Sequence, residues 1–85
     1  MSTKNNPGEF DCYANALPDE PMFILLGRDP DFSALVQAWA LRRKERIHWG
    51  ECPESDHKMV MEALDLASYG AQWRRDNEGK WRSSS

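Results

Sequence analysis

The chain has 85 residues, a net charge of −3 at pH 7, 40% hydrophobic residues and 29% charged residues. This composition is typical of a single globular domain, and the acidic balance argues against general binding to nucleic acid or anionic membranes. The longest apolar run, residues 22–26, is far too short to span a bilayer, so we expect no membrane partner.

Both ends of the chain are polar. Residues 1–9 predict a flexible N-terminal lead, and residues 80–85, which finish in three serines, predict a flexible C-terminal tail. The lead lacks the apolar core of a secretory signal, so we expect a cytoplasmic protein with two reduced cysteines. A single compact domain is predicted between them, over residues 10–79.

The first part of this domain combines an ambiguous segment with an apolar one. Residues 10–16 fit a helical turn, a second strand or irregular chain. Beyond Pro18 and Pro21, five consecutive apolar residues are followed by a turn-forming Gly-Arg-Asp-Pro. An apolar run bounded in this way predicts a short strand, here over residues 22–27, with both faces buried.

Two helices follow. The first is predicted over residues 31–48, with Pro30 in its first turn, acidic caps beside it, and an apolar stripe at helical spacing: Phe32, Leu35, Val36, Trp39 and Ala40. The second is predicted over residues 54–77, after Pro53. A short link through Gly50 joins them, which predicts an antiparallel hairpin.

The predicted fold is therefore mainly α (α+β), with one strand or extended segment before a two-helix hairpin. A lone strand has no hydrogen-bonding partner in such a chain, and the apolar helix faces are wide. We therefore expect a homo-oligomer, with an interface formed by Met22, Phe23, Ile24, Leu25, Leu26 and Trp73. The alternatives are pairing with residues 10–16, or an extended segment that crosses the helices.

The sequence offers little support for catalysis or metal binding. Its two cysteines and two histidines, Cys12, His48, Cys52 and His57, lack the paired spacing of zinc sites, and no nucleophile or phosphate-loop motif is present. We expect a protein that is not an enzyme and that needs neither a metal nor a cofactor.

Binding is the better-supported activity. Tyr13 and Trp49 offer faces for stacking, and Arg28, Arg74 and Arg75 offer forked cations that hold phosphate groups. These five residues are the predicted ligand-binding set, for a small phosphorylated ligand at a subunit interface. Their alternative roles are an aspartate ion pair for Arg28 and a solvated helix end for Arg74 and Arg75.

A second set of residues suggests a protein partner. Short acidic segments could contact the basic surface of a host protein: Asp19, Glu20, Glu51, Glu54 and Asp56. Exposed tryptophan and arginine residues commonly anchor such interfaces.

Residues 18–29 read Pro-Asp-Glu-Pro-Met-Phe-Ile-Leu-Leu-Gly-Arg-Asp, after Asp-Cys-Tyr-Ala-Asn-Ala at 11–16 and before a Trp-Ala pair at 39–40. Over roughly residues 10–75 the chain resembles a set of small phage and prophage proteins that share this block, a helix with the Trp-Ala pair and a second helix. The resemblance implies an accessory gene expressed in the bacterial host cytoplasm, and it assigns no functional residue.

That context suggests an antagonist of host defence that sequesters a small phosphorylated or nucleotide signal. The alternative is direct inhibition of a host defence protein complex, and a third possibility is a structural or assembly component. This step is an analogy, because fold and context do not determine function.

Overall fold

The computed structural model describes residues 3–82. Within them the protein is mainly helical, as predicted, and contains no β-strand. The helices are α1 (Cys12–Asn15), α2 (Phe32–His48), α3 (His57–Asp76) and α4 (Glu78–Trp81), with a 3-10 turn, Glu54–Asp56, directly before α3. No helix in this part of the chain is both long enough and apolar enough to cross a membrane.

Helix α2 begins one residue after the predicted start. The chain enters it through a turn in which the amide of Asp31 donates to Oδ1 of Asp29 at 2.8 Å. The helix ends at His48, and Gly50 follows two residues later with a φ of 78°, in the left-handed region that favours glycine. The amide of Gly50 donates to the carbonyl of Ile47 at 3.1 Å, which caps the last turn.

Helices α2 and α3 form the main packing contact of the protein. Near its start, α2 meets the second half of α3, where Ser33 Oγ donates to the carbonyl of Ala67 at 2.6 Å. Near its end, α2 meets the turn before α3, where Arg43 Nη1 lies 3.0 Å from Asp56 Oδ2. These two contacts set the register of the pair.

Phe32, the first residue of α2, packs tightly on Gly70 of α3. A Cβ atom on Gly70 would lie 2.5 Å from Cε1 and 2.6 Å from Cδ1 of the Phe32 ring. The ring can therefore enter this space only because residue 70 has no side chain. Both residues are buried.

The buried apolar set is small: Phe32, Ala40, Val60, Ala67 and Trp81. Much of the predicted apolar stripe of α2 remains outside it. Trp39 is 39% exposed, and the guanidinium of Arg43 lies 5.2 Å from the centre of its indole ring. The contact is a cation–π interaction at the surface rather than core packing.

The structure does not form the strand predicted over residues 22–27. Residues 21–26 are irregular, and no backbone–backbone hydrogen bond within residues 3–82 involves residues 22–25. The physical reason is that a strand needs a neighbour, and the chain that could have supplied one is helical at α1. In α1, Asp11 Oδ1 accepts from the amide of Ala14 at 3.3 Å as a cap.

Within the segment predicted to be a flexible tail, residues 80–82 have helical conformation in the structure. Lys80 and Trp81 belong to α4, Arg82 follows in a helical conformation, and Trp81 is only 8% exposed. Burying the large indole against the helices stabilises this short turn. Residues 83–85 lie outside the described part of the chain.

An ion pair joins the N-terminal lead to α3. Lys58 Nζ lies 2.8 Å from Glu9 Oε2. Donation of a hydrogen bond to Glu9, with charge attraction to the same carboxylate, raises the pKa of Lys58 above its ordinary value. Residues 3–9 are otherwise exposed, and residues 1 and 2 lie outside the described residues.

The chain is more open than its size requires. Its radius of gyration is 14.1 Å, whereas a compact chain of this length has a value of about 12 Å. Its solvent-accessible surface is 6869 Å², whereas a folded monomer of this mass exposes about 5,200 Å². The protein therefore exposes roughly 1,700 Å² more than the scaling for monomers predicts.

The Phe32–Gly70 contact predicts the effect of adding one methyl group at residue 70. Gly70→Ala should lower the free energy of unfolding by about 1–3 kcal/mol, because the added Cβ overlaps the buried ring. The steric cost should exceed the gain of about 1 kcal/mol that alanine brings to a helix interior. Urea unfolding followed by circular dichroism measures the difference.

Gly79→Ala is the matched control. Gly79 lies in α4 with open space where its Cβ would be, so this substitution should be neutral or slightly stabilising. Equal stability of the two variants would contradict the proposed close contact.

Candidate functional site

An apolar groove lies between the N-terminal half of the chain and the α3–α4 end. Its volume is about 720 Å³, and its walls come from α1, residues 22–28, α3 and α4. Seven of the nine aromatic residues of the chain line it: Phe10, Tyr13, Phe23, Phe32, Tyr69, Trp73 and Trp81. Its volume lies within the range of about 300–1,000 Å³ that is typical of small-molecule sites.

The floor and the rim of the groove differ in exposure. Phe32, Gly70 and Trp81 are buried and form part of the lining. Tyr13 and Phe23 are strongly exposed, with Phe23 at 87%. The groove thus has a packed base and open aromatic edges that a bound molecule could cover.

The charged lining of the groove is mainly cationic. Within residues 3–82 it includes Lys4, Arg28 and Lys80, opposed by Asp11. A surplus of cations around an apolar floor is notable in a chain whose net charge is −3. The charged residues that line the groove are therefore mostly positive, although the protein as a whole is acidic.

A cluster around Arg74 joins α3, α4 and the loop that carries Arg28. Arg74 Nε donates to the carbonyl of Arg28 at 2.8 Å, and its guanidinium lies 4.7 Å from the centre of the Trp81 ring. Trp81 Nε1 in turn donates to the carbonyl of Arg74 at 2.9 Å. Arg82 approaches the same ring at 5.2 Å. The cluster holds the backbone of Arg28 beside the groove.

The structure divides the predicted ligand-binding set. Tyr13 and Arg28 line the groove, whereas Arg74 supports it from behind through the contacts above. Trp49 is 69% exposed at the far end of α2, where it borders a small hollow of about 170 Å³. Arg75 is exposed on α3 and does not line the groove.

The residues of the predicted interface all line the groove. Residues 22–26 form one of its walls, and Trp73 lies half-buried in the wall formed by α3. Four of the five apolar residues in the run are exposed, and only Leu25 is half-buried. An apolar run that the sequence predicted to be buried is therefore mostly in contact with solvent.

The predicted ligand-binding set omits Lys4, Lys80 and Trp81, which also line the groove. Lys4 lies in the lead and the other two lie in the predicted tail, segments whose composition indicates flexibility. A signal for Trp81 was present, because it follows Arg74 by seven residues, a helical spacing that places both on one face. The helix is interrupted at Asn77, so this spacing is not evident in the sequence.

The residues that could bind a metal are dispersed in the part of the chain that the structure describes. Within residues 3–82, no three side chains of His, Cys, Asp or Glu come together as a metal site would require. Cys12 is an exposed free thiol and Cys52 a half-buried one. The groove is larger than the hollow near Trp49 and is the concave feature on which a functional proposal can be based.

Comparison of the chain with protein-family models, curated proteins and solved structures gives no significant match. The function must therefore be inferred from the groove and its surroundings.

The contacts of Arg74 predict a structural effect that its neighbour lacks. Arg74→Ala should lower the free energy of unfolding by about 1–3 kcal/mol, through loss of a charge-assisted hydrogen bond and of packing on Trp81. Arg75→Ala, at the adjacent exposed position, should change stability by less than about 0.5 kcal/mol. Thermal or urea unfolding of both variants tests this. Equal effects would show that the Arg74 cluster does not hold the fold.

Proposed function

We propose that this protein acts by stoichiometric binding and that the groove holds a small anionic ligand with a planar group, of the phosphorylated or nucleotide type. The observation that carries this proposal is the combination of an aromatic lining with Lys4, Arg28 and Lys80 in one groove of about 720 Å³. Apolar pockets with a few convergent polar groups are the usual form of small-molecule sites.

The two parts of such a ligand have separate partners in the groove. Tyr13 at the rim and Trp73 in the wall provide faces on which a base can stack. Arg28 and Lys80 provide the charges for a phosphate group, and Arg28 can do so with two parallel hydrogen bonds. The backbone of Arg28 is held by Arg74, so the loop is ordered before the ligand arrives.

The open form of the groove supports binding rather than catalysis. Its rim residues Tyr13 and Phe23 are exposed, so a reacting group would not be shielded from water by this chain alone. We propose that the protein is not an enzyme and that it removes its ligand from solution.

The biological role that we propose follows from the resemblance to phage and prophage proteins. A phage-encoded accessory protein in the cytoplasm of its host could antagonise defence by sequestering a nucleotide signal. In this proposal the chain is an antiparallel helical hairpin that a second copy completes, so that the ligand lies at a subunit interface. The large exposed surface of the single chain supports self-association.

The second candidate function is direct inhibition of a host defence protein complex. The observation that favours it is Trp49, which is 69% exposed and packs edge-on against His48 with a separation of 5.1 Å between ring centres. Exposed tryptophan residues often anchor protein interfaces. The acidic segments support it less, because Glu51 pairs with Arg46 at 3.2 Å and Asp56 pairs with Arg43 at 3.0 Å.

The ligand proposal is tested by titrating the purified protein with cyclic di-GMP, AMP, ATP and inorganic pyrophosphate, using calorimetry and thermal shift. We expect a nucleotide to bind and pyrophosphate alone to bind more weakly, because it lacks a base to stack. Arg28→Ala should weaken nucleotide binding roughly ten- to hundredfold, the value of hydrogen bonds to a charged group.

Arg42→Ala is the matched control, since Arg42 is exposed and lies by the small hollow near Trp49. It should leave nucleotide affinity unchanged. No binding of any nucleotide, or equal losses in both variants, would contradict the proposed site.

The variant Trp49→Ala distinguishes direct inhibition of a host protein complex from ligand binding. If the protein inhibits a host complex, this variant should lose a discrete protein that co-purifies from bacterial lysate while nucleotide titrations stay unchanged. If the ligand proposal holds, Trp49→Ala should behave as the wild type in the titrations and in the lysate.

A further inference from the structure

We infer that residues 22–26 of two copies pair as antiparallel strands across a two-fold axis at Ile24, and that each copy's segment covers the open side of the other copy's groove. The occupant of this apolar edge is thus a second copy of the same chain. Three observations support the pairing, and none of them involves a ligand.

The first observation is an open backbone edge. Within residues 3–82, residues 22–25 make no backbone–backbone hydrogen bond, and Leu26 only accepts one, at 2.9 Å, from the amide of Asp29. A row of unpaired amides and carbonyls is a template for another strand. No helix or turn occupies residues 21–26, so the segment can extend without first unfolding an element.

The second observation is the exposure of apolar side chains along this edge. Phe23 is 87% exposed and Ile24 is 64% exposed. In an antiparallel pair centred on Ile24, Phe23 lies opposite Leu25 of the partner subunit, and such cross-strand apolar pairs are stabilising. Residues 21–27 carry no charge, so the two-fold axis brings no like charges together.

The third observation is the solvent-accessible surface area of the single chain. The chain exposes 6869 Å², roughly 1,700 Å² above the value expected for a monomer of its mass. One partner in a standard interface buries about 800 Å². The excess is therefore larger than the area that one partner of a standard interface buries.

The ends of the segment restrict its register. Pro21 has no amide hydrogen to continue a ladder, and the chain turns at Gly27. Five residues therefore remain for pairing, and only a centre at Ile24 pairs all of them. A shift of the pairing by one residue would exchange the two faces of the strand. The register centred on Ile24 places Phe23 opposite Leu25 of the partner subunit.

The pairing extends the proposed function. Residues 22–26 already form one wall of the groove, and Arg28 follows two residues later. A second copy on the open edge would cover the exposed rim, and the antiparallel arrangement places the two Arg28 residues at opposite ends of the paired strands, each beside the groove of its own chain. This role in ligand binding rests on the proposed function, whereas the pairing itself is measured without ligand.

Sedimentation velocity of the full chain over a range of concentrations tests the pairing. We expect a dimer or a higher even-numbered oligomer. Phe23→Asp should weaken self-association by at least about tenfold, because it places a carboxylate in an apolar contact. Ile24→Pro should do the same by removing an amide. Leu41→Asp, at an exposed apolar residue on α2, is the control and should leave the mass unchanged.

Cross-linking provides a second readout that does not depend on destabilising variants. With Cys12 and Cys52 replaced by serine, Ile24→Cys should form a disulfide-linked dimer on oxidation with diamide, because residues at the axis face each other about 5 Å apart. Met61→Cys, also exposed but on α3, should remain monomeric on denaturing gels.

The outcomes separate the two proposals. A strict monomer, or an oligomer unaffected by both Phe23→Asp and Ile24→Pro, would overturn the pairing even if nucleotides still bind. A dimer that cross-links through residue 24 but binds no nucleotide would support the pairing and overturn the proposed ligand.

Discussion

The contact between Phe32 and Gly70 is the constraint on which the rest of the structure depends. Space for the ring exists only because residue 70 lacks a Cβ, and the ring in turn fixes how the start of α2 lies on α3. The hydrogen bond from Ser33 to Ala67 lies next to this contact and keeps the same register. Since Phe32 and Gly70 also form part of the groove lining, the register of the two helices shapes the candidate site.

The second support of the site is the cluster of Arg74 and Trp81. It links the last helix to the backbone of Arg28, so residues far apart in the sequence keep the loop beside the groove. Arg74, which the sequence suggested as a ligand contact, therefore supports the structure around the groove. The ligand proposal consequently depends on Tyr13 and Arg28, together with lysines from both ends of the described chain.

A small core explains why this chain leaves so much apolar surface exposed. Few of its apolar residues are fully buried, and the irregular segment 22–26 has neither a helix to cover it nor a strand to pair with. Short chains gain limited stability from a single core, so association is a common way to bury the remainder. The proposed pairing and the proposed ligand site both draw on this exposed surface.

The sequence by itself determined the two long helices, because apolar periodicity, Pro30, Pro53 and Gly50 act locally. It also identified Tyr13 and Arg28, which the structure brings to one groove. Only the tertiary structure decided the conformation of residues 22–26 and the burial of Trp81. A strand forms only when a neighbouring strand pairs with it. A residue near the end of the chain is buried only when distant helices offer a surface to pack against. Neither condition can be read from the local sequence pattern.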